Sequence, residues 1–376
     1  MLGDSDFDER FEALIVNHRI DVVFPTVDAV VERVAARQFS ARVVAPSAKA
    51  AHLCADKAAL YAALGGEVTL PRIYGPLEVP TLPCYAKPAR GGGGRGAYVV
   101  CDATQLAVAR RDGLIVQELL TGPEVTVDAL GGPNGETLGA FVRGRDAIGR
   151  SISLGTATQE NTDLEEATRR IGTRIGVAGP FFAQFKQDAA GVYRLLEVNA
   201  RVGGSMTLTR LAGVNIPQLA VHLALGQSVQ VPRRLHPARG VRHLTTLMEW
   251  PSNILGVIWD LDDTLVRADG KAEPEMMARL YALRNLGIRQ WVMTLNVDPE
   301  MTMRQALVPD VFEAVIQTTD KLEALSRFEA EQGVQLKHVL MVNDSNREKL
   351  EMQQAYPELV ALTPDAVALL PYERWS

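Results

Sequence analysis

The sequence LLEVNARVGGS, from Leu195 to Ser205, ends an apolar strand pattern in polar and charged residues. Glu197, Asn199 and Arg201 follow one another at intervals of two. Since alternate residues of a strand point to one face, we expect these three side chains on the same side of a sheet. A second apolar stretch, FFAQFK, carries Gln184 near its end. Carboxylate and amide oxygens suit Mg²⁺ that also binds substrate phosphates, and an arginine beside them could stabilise charge on a transferring phosphoryl group.

A glycine-rich loop lies upstream in the stretch YAKPARGGGGRGAYVV, residues 85–100. The pattern predicts a strand that ends at Lys87, a loop, and a second strand that leaves the loop. Glycine allows backbone N–H groups to approach phosphate oxygens, and a lysine adds positive charge. No GK[ST] step into a helix follows, so the loop is not a P-loop. A glycine run alone is equally typical of a flexible hairpin tip.

Two further carboxylates accompany the loop in IVQELLTGPEVTV, residues 115–127. Gln117 and Glu118 lie on an otherwise apolar strand pattern, and Glu124 lies just beyond it. One carboxylate could accept a hydrogen bond from an adenine amino group, and the other could bind a ribose. Each residue alone has a structural explanation, but all these features in this order favour a nucleotide site.

The set resembles the ATP-grasp fold, in particular the carbamoyl-phosphate-synthase-like branch of the carboxylate–amine ligases. The resemblance runs from about residue 20 to about residue 249 and rests on ADK around Lys57, Lys87 before the loop, QELLTGPEVTVD, and FAQF…LLEVNARVGGS. It implies an α+β fold with two α+β subdomains. The chemistry it implies is phosphorylation of a carboxylate by ATP, which gives an acyl phosphate and ADP, followed by attack of an amine or ammonia.

The same resemblance implies ATP and Mg²⁺ at this site and a role for each matching residue. The residues that would bind the nucleotide are Lys57, Lys87, Gly91, Gly92, Gly93, Gly94, Gly96, Gln117, Glu118, Leu120 and Glu124. In this set the lysines would hold phosphates, Glu118 would meet the adenine amino group, and Glu124 would meet the ribose. The residues that would bind Mg²⁺ are Gln184, Glu197 and Asn199, and Arg201 would assist phosphoryl transfer. Arg143 and Arg145 lie where the family often holds an acidic substrate.

The start of the chain departs from this family pattern. Members usually open with a glycine-containing strand, a helix and a second strand, whereas MLGDSDFDERFEALI matches a point after those elements. We therefore expect a shortened pre-ATP-grasp α/β region over residues 1–50 and an ATP-grasp domain over residues 51–250. The basic stretch PRRLHPARGVRH, residues 232–243, is interpreted as a solvated connector, and a separate domain is expected over residues 253–376.

The stretch GVIWDLDDTLV, residues 256–266, predicts a buried strand that ends in Asp260 and Asp262. Period-two geometry puts both carboxylates on one side, at the carboxyl edge of a sheet. One carboxylate can attack phosphorus, and the other can protonate the leaving group and later activate water. A cation is needed to bring two carboxylates near a phosphate. An acidic turn after a core strand is the alternative, but WVMTLN and HVLMVND also end apolar strands in polar residues, at Thr294 and Asp344.

This order resembles the haloacid-dehalogenase-like superfamily between about residues 255 and 370. The resemblance implies a Rossmann-like three-layer α/β domain and a Mg²⁺-dependent phosphatase. Asp260 would be the nucleophile, Asp262 the general acid and base, and Thr294 and Lys321 the residues that hold the phosphoryl group. Mg²⁺ would bind Asp260, the backbone carbonyl of Asp262, and Asp344. The gaps from Asp260 to Thr294 and from Thr294 to Lys321 leave no room for a cap domain.

Composition limits the partners and the cellular location that we expect for this protein. The 376 residues carry a formal net charge of −6, so a nucleic-acid partner, which would need a basic face, is not expected. No apolar run has membrane-spanning length, and the cysteines Cys54, Cys84 and Cys101 show no CxxC spacing, so we expect a cytoplasmic protein. The expected partners are a small-molecule carboxylate, an amine and a phosphorylated small molecule. The ATP-grasp resemblance also makes a homodimer an expectation.

Three functions remain open at this point. The first is a bifunctional enzyme in which an ADP-forming ligase is fused to a phosphatase. The second is a kinase-like ATP-grasp enzyme that stops at a phosphorylated product. The third is a nucleotide-binding regulatory module without turnover that carries an active phosphatase.

Overall fold

The computed structural model describes residues 6–149, 152–241 and 253–368. The chain divides into two compact units, Met1–His243 and Leu244–Ser376. The expected domain boundary at residues 250–253 falls next to or within a stretch outside the described residues. In the described ranges, no helix combines the length and the apolar character needed to cross a membrane.

The first unit opens with short α/β elements that lead to Lys57. They are α1 (Phe7–Asn17), β1 (Val22–Val23), α2 (Asp28–Ala35), β2 (Arg42–Val43), α3 (Ala48–Ala55) and α4 (Lys57–Ala63). β1 and β2 pair in parallel. Asp56 has an extended backbone conformation and separates α3 from α4, and its carboxylate accepts the N–H groups of Ala58 and Ala59. This N-cap makes Lys57 the first residue of α4.

A small antiparallel sheet carries the glycine-rich loop. Its strands are β3 (Cys84–Lys87), β4 (Tyr98–Val100) and β5 (Ile115–Glu118), in the order β4-β3-β5, and helix α5 (Ala103–Arg111) lies between β4 and β5 in the chain. Cys84 and Ala86 of β3 pack in one core with Leu106 and Ala109 of α5. The loop is therefore the β3–β4 hairpin connection, as the sequence predicts.

A four-stranded antiparallel sheet forms the centre of the first unit. Its order is β11-β10-β6-β7, with β6 (Glu124–Gly131), β7 (Thr137–Gly144), β10 (Gly179–Gln187) and β11 (Tyr193–Asn199). One face packs against α6 (Thr162–Ile175): the apolar side chains of Val127, Phe181 and Ala183 share a core with Ile171 of that helix. The polar residues of the same strands alternate onto the opposite face.

The remaining elements of the first unit are β8 (Ala147–Gly149), β9 (Ile152–Ala157), α7 (Thr207–Leu211), α8 (Ile216–Ala224) and β12 (Arg239–Val241). β12 pairs with β9 in a sheet of order β12-β9-β8. The interpretation of residues 232–243 as a plain connector was therefore wrong over Arg239–Val241. The basic composition hid this strand, because an edge strand carries charged residues without difficulty.

The second unit is a three-layer α/β arrangement around a parallel sheet. Its elements are β13 (Gly256–Trp259), α9 (Pro274–Asn285), β14 (Arg289–Thr294), α10 (Pro299–Gln305), β15 (Ala314–Gln317), α11 (Lys321–Gln332), a 3₁₀ turn (Leu336–His338), β16 (Val339–Val342), α12 (Asn346–Ala355), β17 (Val360–Leu362) and α13 (Pro364–Val367). The strand order is β15-β14-β13-β16-β17. On one face, Leu280 of α9 packs with Trp259, and on the other face Phe328 of α11 packs with Ile258.

Candidate active sites

A cavity of about 420 Å³ lies over the polar face of the four-stranded sheet. The glycine-rich loop contributes Gly91–Gly94 to its wall, and Lys57 and Lys87 also line it. Four residues on its floor form a row across the sheet. Arg143 of β7 is opposite Thr126 of β6, Thr126 is opposite Gln184 of β10, and Gln184 is opposite Glu197 of β11. The row therefore consists of Arg143, Thr126, Gln184 and Glu197, and all four residues line the cavity.

The expected Mg²⁺ ligands lie together at the β11 end of this row. Asn199 Nδ2 donates to Glu197 Oε1 at 3.2 Å. In the amide orientation that satisfies its neighbours, Gln184 donates to Glu197 Oε1 at 2.8 Å and accepts from Arg145 Nη1 at 2.9 Å. Arg145 also pairs with Glu124. One carboxylate and two amide oxygens are hard donors of the kind Mg²⁺ prefers, so the residues fit this ion once the amides turn their oxygens toward it.

No group of three His, Cys, Asp or Glu side chains suited to a metal ion occurs within the described ranges. The expected set over the sheet is consistent with this observation, because it contains a single carboxylate. Positive charge at Glu197 is supplied here by Lys57, whose Nζ lies 3.3 Å from Glu197 Oε2.

Lys57 and Lys87 reach the cavity from different elements. Lys57 Nζ donates to the carbonyl of Gly91 at 2.6 Å, which ties the start of α4 to the glycine loop. Lys87 is buried, and its Nζ donates to Tyr61 Oη at 2.8 Å and to the carbonyl of Leu196 at 3.3 Å. Burial, together with the nearby charge of Lys57, lowers the pKa of Lys87 to about 8.

The Leu196 carbonyl, which accepts the hydrogen bond from Lys87, belongs to a β-bulge. The register of β10 and β11 shifts after Gln184, which faces Glu197, so that Phe185 faces Leu195 and Leu196 is left over. The extra residue of a bulge has a carbonyl outside the regular ladder. Tyr61 Oη donates to this carbonyl at 2.7 Å. The bulge therefore sets Glu197 opposite Gln184 and also anchors Lys87.

Arg201 also reaches this cavity. β11 ends at Asn199, so Arg201 lies beyond the strand, but its side chain still lines the same cavity as Glu197. Arg201 Nε and Nη2 donate to the two carboxylate oxygens of Asp28 at 2.7 and 3.1 Å. The guanidinium also lies 5.3 Å from the centre of the Phe182 ring. Sequence reasoning missed Asp28, which precedes Arg201 by 173 residues.

The residues expected around the adenine do not line this cavity. Gln117, Glu118 and Leu120 are absent from its wall, whereas Glu124, expected at the ribose, is present; Gly96 of the loop and Asn199 of the expected Mg²⁺ set are not part of the wall either. Glu118 Oε1 accepts the backbone N–H of Arg72 at 2.8 Å. Gln117 is buried, and its Oε1 has no hydrogen-bond partner among the residues that the structure describes.

Arg143 is fixed by a buried ion pair that the sequence did not reveal. Its Nε and Nη2 donate to Asp128 at 2.8 and 3.1 Å, and Thr209 Oγ1 donates to the same carboxylate at 2.6 Å. The Arg143 side chain is 4% exposed and that of Asp128 is 0% exposed. Asp128 lies two residues after Thr126 on β6, so the strand alternation could have indicated a third polar residue on this face.

In the second unit, the singled-out side chains follow the carboxyl ends of three neighbouring strands. Asp260 follows β13, Thr294 ends β14, and Asp344 lies two residues after β16. The chain continues from β13 to β14 on one side and returns to β16 on the other, and ligands of open α/β sheets bind at such a switch point. The backbone N–H of Asp260 donates to the carbonyl of Val342 at 2.8 Å, which links the ends of β13 and β16.

Asp260 and Lys321 form a buried pair at this edge. Lys321 begins α11, and its Nζ lies 2.8 Å from Asp260 Oδ1 and 2.8 Å from Glu348 Oε2. Burial raises the pKa of Asp260 to about 6, although the adjacent Lys321 acts in the opposite direction. Glu348 also accepts from Asn343 Nδ2 at 3.0 Å. Sequence reasoning missed Glu348, although it belongs to the same stretch as Asp344.

Asp262 is exposed and accepts hydrogen bonds from Asn296, which follows β14. Asn296 Nδ2 donates to Asp262 Oδ1 at 2.9 Å and to Oδ2 at 3.1 Å. The backbone N–H of Asn296 donates to Thr294 Oγ1 at 3.0 Å. Asn296 therefore contacts both Thr294 and Asp262. The backbone N–H of Asp344 donates to Thr264 Oγ1 at 3.2 Å. The oxygen donors of Asp260, Asp344 and the Asp262 backbone suit Mg²⁺.

Comparison with known proteins gives one family match, which lies mostly in the first unit. The family described as ATP-grasp in the biosynthetic pathway with Ter operon matches residues 110–247. A D-alanine–D-alanine ligase from Ectopseudomonas mendocina (strain ymp) is 29% identical over 175 residues, which cover 40% of this chain and 54% of that protein. The chain thus spans about half the length of this curated relative.

Two solved structures resemble the chain at low sequence identity. Biotin carboxylase from Campylobacter jejuni superposes with a TM-score of 0.51 and 19% identity, over 60% of each chain. N5-carboxyaminoimidazole synthetase from Staphylococcus aureus, in complex with ADP, gives a TM-score of 0.52 and 14% identity, over 65% of this chain and 70% of that one. Together with the family match, these similarities support an α+β ATP-grasp fold for this part of the chain.

Proposed function

We propose that the first unit is an ADP-forming carboxylate–amine ligase. The observation that carries this proposal is the row of Arg143, Thr126, Gln184 and Glu197 beneath the glycine loop and two lysines. The proposal is supported by one cavity whose wall includes the glycine loop, the two lysines, Gln184 and Glu197 of the expected Mg²⁺ set, and Arg143. The relatives named above are a ligase, a carboxylase and a synthetase, which supports the same class of chemistry.

The proposed reaction proceeds by positioning and charge stabilisation. Lys57, Lys87 and the loop amides hold the phosphates of ATP, and the Arg201 guanidinium stabilises charge on the γ-phosphoryl group as it moves. A carboxylate oxygen of the acid bonds to the γ-phosphorus while the β–γ bridging bond breaks, and ADP leaves. An amine then attacks the acyl carbon and expels phosphate. Mg²⁺ held by Glu197, Gln184 and Asn199 would neutralise charge on the phosphates.

The test uses the Asp260→Asn protein, in which the proposed phosphatase is silent. It is incubated with Mg²⁺-ATP and a carboxylate pool of L-amino acids, D-alanine, acetate, succinate and bicarbonate, together with ammonia. D-alanine is included because one similar protein is a D-alanine–D-alanine ligase. We expect ADP and a new condensed mass, and both should disappear in the additional Glu197→Gln variant, which keeps the shape of the side chain and removes its charge.

Three results would contradict the ligase. AMP in place of ADP would indicate adenylation of the acid. ADP with a stable phosphorylated product and no condensed mass would indicate a kinase. Binding of ATP without any turnover would indicate the regulatory module.

For the second unit we propose a Mg²⁺-dependent phosphatase of the haloacid-dehalogenase-like type without a cap domain. Its support is the placement of Asp260 and Lys321 at the carboxyl edge of the parallel sheet, 2.8 Å apart. Asp260 would attack phosphorus and form an aspartyl phosphate while Asp262 protonates the leaving oxygen. Asp262 would then take a proton from the water that attacks phosphorus and releases phosphate. Thr294 and Lys321 would hold the phosphoryl oxygens.

The phosphatase is tested with p-nitrophenyl phosphate and Mg²⁺. Asp260→Asn should abolish hydrolysis, and Asp263→Asn is the matched control, because Asp263 lies in the same acidic turn and asparagine tolerates its positive φ of 53°. Glu197→Gln should hydrolyse this ester at the rate of the unmodified protein. Equal hydrolysis by Asp260→Asn and the unmodified protein would contradict the proposal.

A further inference from the structure

Thr126 occupies the middle of the cavity floor and has an unused hydroxyl. Its side chain is 0% exposed, and Oγ1 makes no hydrogen bond to any residue in the part of the chain that the structure describes. Two other buried threonines of this unit are satisfied, since Thr209 donates to Asp128 and Thr156 to the carbonyl of Gly144, whereas Thr168 on α6, away from the cavity, also has no partner in the described ranges. A buried hydroxyl without a partner lowers stability, and valine would fill the same space on a β-strand without that penalty.

The position of Thr126 tells which group could satisfy this hydroxyl. On one side, across β10, lies Gln184 of the expected Mg²⁺ set, where the γ-phosphate would be held. On the other side, across β7, lies Arg143. Neighbouring strands are about 4.8 Å apart, so Thr126 is one strand removed from the phosphoryl group. A nucleophile that is to attack the γ-phosphorus must lie next to that group.

The Thr126 hydroxyl and the Arg143 guanidinium can both donate hydrogen bonds at this place on the cavity floor. Arg143 uses Nε and Nη2 for Asp128, and Nη1 takes no part in that pair. A carboxylate accepts hydrogen bonds and donates none, so a hydroxyl and a guanidinium together match it. Space is also available, because Thr126, Arg143 and Gly203 line the same cavity of about 420 Å³.

We propose that Thr126 is a substrate-binding residue whose Oγ1–H donates to the carboxylate of the acid substrate, beside Arg143 Nη1. This inference rests on the proposed ligase and goes further by locating the acid. Thr126 holds the carboxylate one strand away from Gln184, so that one oxygen faces the γ-phosphorus. Binding of the acid then supplies the partner that the hydroxyl lacks.

The experiment compares Thr126→Val, Thr126→Ser and Thr168→Val, each in the Asp260→Asn protein. Thr168 is the matched control, because it is also 0% exposed and its Oγ1 also has no partner in the described ranges, but it lies on α6 and does not line the cavity. Two quantities are measured: the Kd of a non-hydrolysable ATP analogue with Mg²⁺, and the concentration of the carboxylate pool that gives half-maximal ADP formation.

We expect Thr126→Val to raise the half-saturating pool concentration about 10- to 100-fold while the Kd of the ATP analogue stays within threefold. Thr126→Ser should retain most of the affinity, and Thr168→Val should change neither quantity. An unchanged half-saturating concentration in Thr126→Val would overturn the proposal, and so would an equal loss of ATP-analogue affinity, which would assign the hydroxyl to the nucleotide. Failure of the proposed ligase has a separate signature: the parent Asp260→Asn protein would bind the analogue but show no pool-dependent ADP formation.

Discussion

The buried pair of Arg143 and Asp128 gives the sharpest prediction for stability. Asp128→Ala would leave the Arg143 guanidinium, 4% exposed, without its counter-charge, and would also remove the acceptor of Thr209. Breaking a buried ion pair by removal of one partner costs about 3–5 kcal/mol. For a unit of this size, each kcal/mol shifts the melting temperature by about 2–4 °C. We therefore expect the first unit to melt roughly 6–20 °C lower.

The assay can separate the two units because all four tryptophans, Trp250, Trp259, Trp291 and Trp375, follow residue 243. Calorimetry records the unfolding of both units, and tryptophan fluorescence identifies the transition of the second, so that the remaining calorimetric transition belongs to the first. The control is Glu166→Ala on α6, which breaks an exposed pair with Arg170 at 3.8 Å. This change should alter the unfolding free energy by less than about 0.5 kcal/mol.

A second variant tests the cause of the loss. Arg143→Met combined with Asp128→Ala replaces the pair by an apolar side chain of similar length, and buried pairs replaced in this way often lose little stability. The double variant should therefore be more stable than Asp128→Ala alone. A loss below about 1 kcal/mol in Asp128→Ala, or a double variant no more stable than the single one, would refute the argument.

Three further predictions concern activity. Lys87 is protonated below its lowered pKa of about 8 and neutral above it, so the KM for ATP should rise as the pH increases through about 8. Arginine stays charged over this range, so Lys87→Arg should abolish the rise in initial-rate measurements. Asp28→Asn should lower kcat for ADP formation about tenfold or more, with the Kd of an ATP analogue unchanged, because Asp28 orients Arg201 through two hydrogen bonds; an unchanged kcat would contradict this role. Glu348→Gln should lower kcat/KM for p-nitrophenyl phosphate about tenfold, because Lys321 Nζ, which lies between Glu348 and Asp260, would be held less firmly. ADP formation is the control and should not change.

Local sequence signals were sufficient for the elements that carry the sites. The glycine run predicted a hairpin loop because few other residues leave the backbone open to phosphate, and the β3–β4 connection confirms its place. Alternation along LLEVN predicted Glu197 and Asn199 on one face, and the Asn199–Glu197 hydrogen bond agrees with this. The three apolar stretches before Asp260, Thr294 and Asp344 are parallel strands of one sheet, so their carboxyl ends meet at one edge.

Sequence patterns did not reveal the partners that long-range packing supplies. Counting along the strand placed Arg201 on the side of Glu197, and both line one cavity, but Asp28, 173 residues upstream, which accepts two hydrogen bonds from the guanidinium, could not be found from the pattern. For Glu118 the pattern likewise did not reveal that its carboxylate accepts the backbone N–H of Arg72. In both cases the partner comes from an element whose approach depends on packing.

The sequence by itself determined which residues alternate toward a polar face and where glycine permits a loop. Only the tertiary structure decided which strands are neighbours and in which register, and hence that Thr126 lies between Arg143 and Gln184. The bulge at Leu196 shows the physical reason, because one unpaired residue changes every cross-strand neighbour beyond it, and its placement depends on Tyr61 and Lys87, which bind the carbonyl it releases.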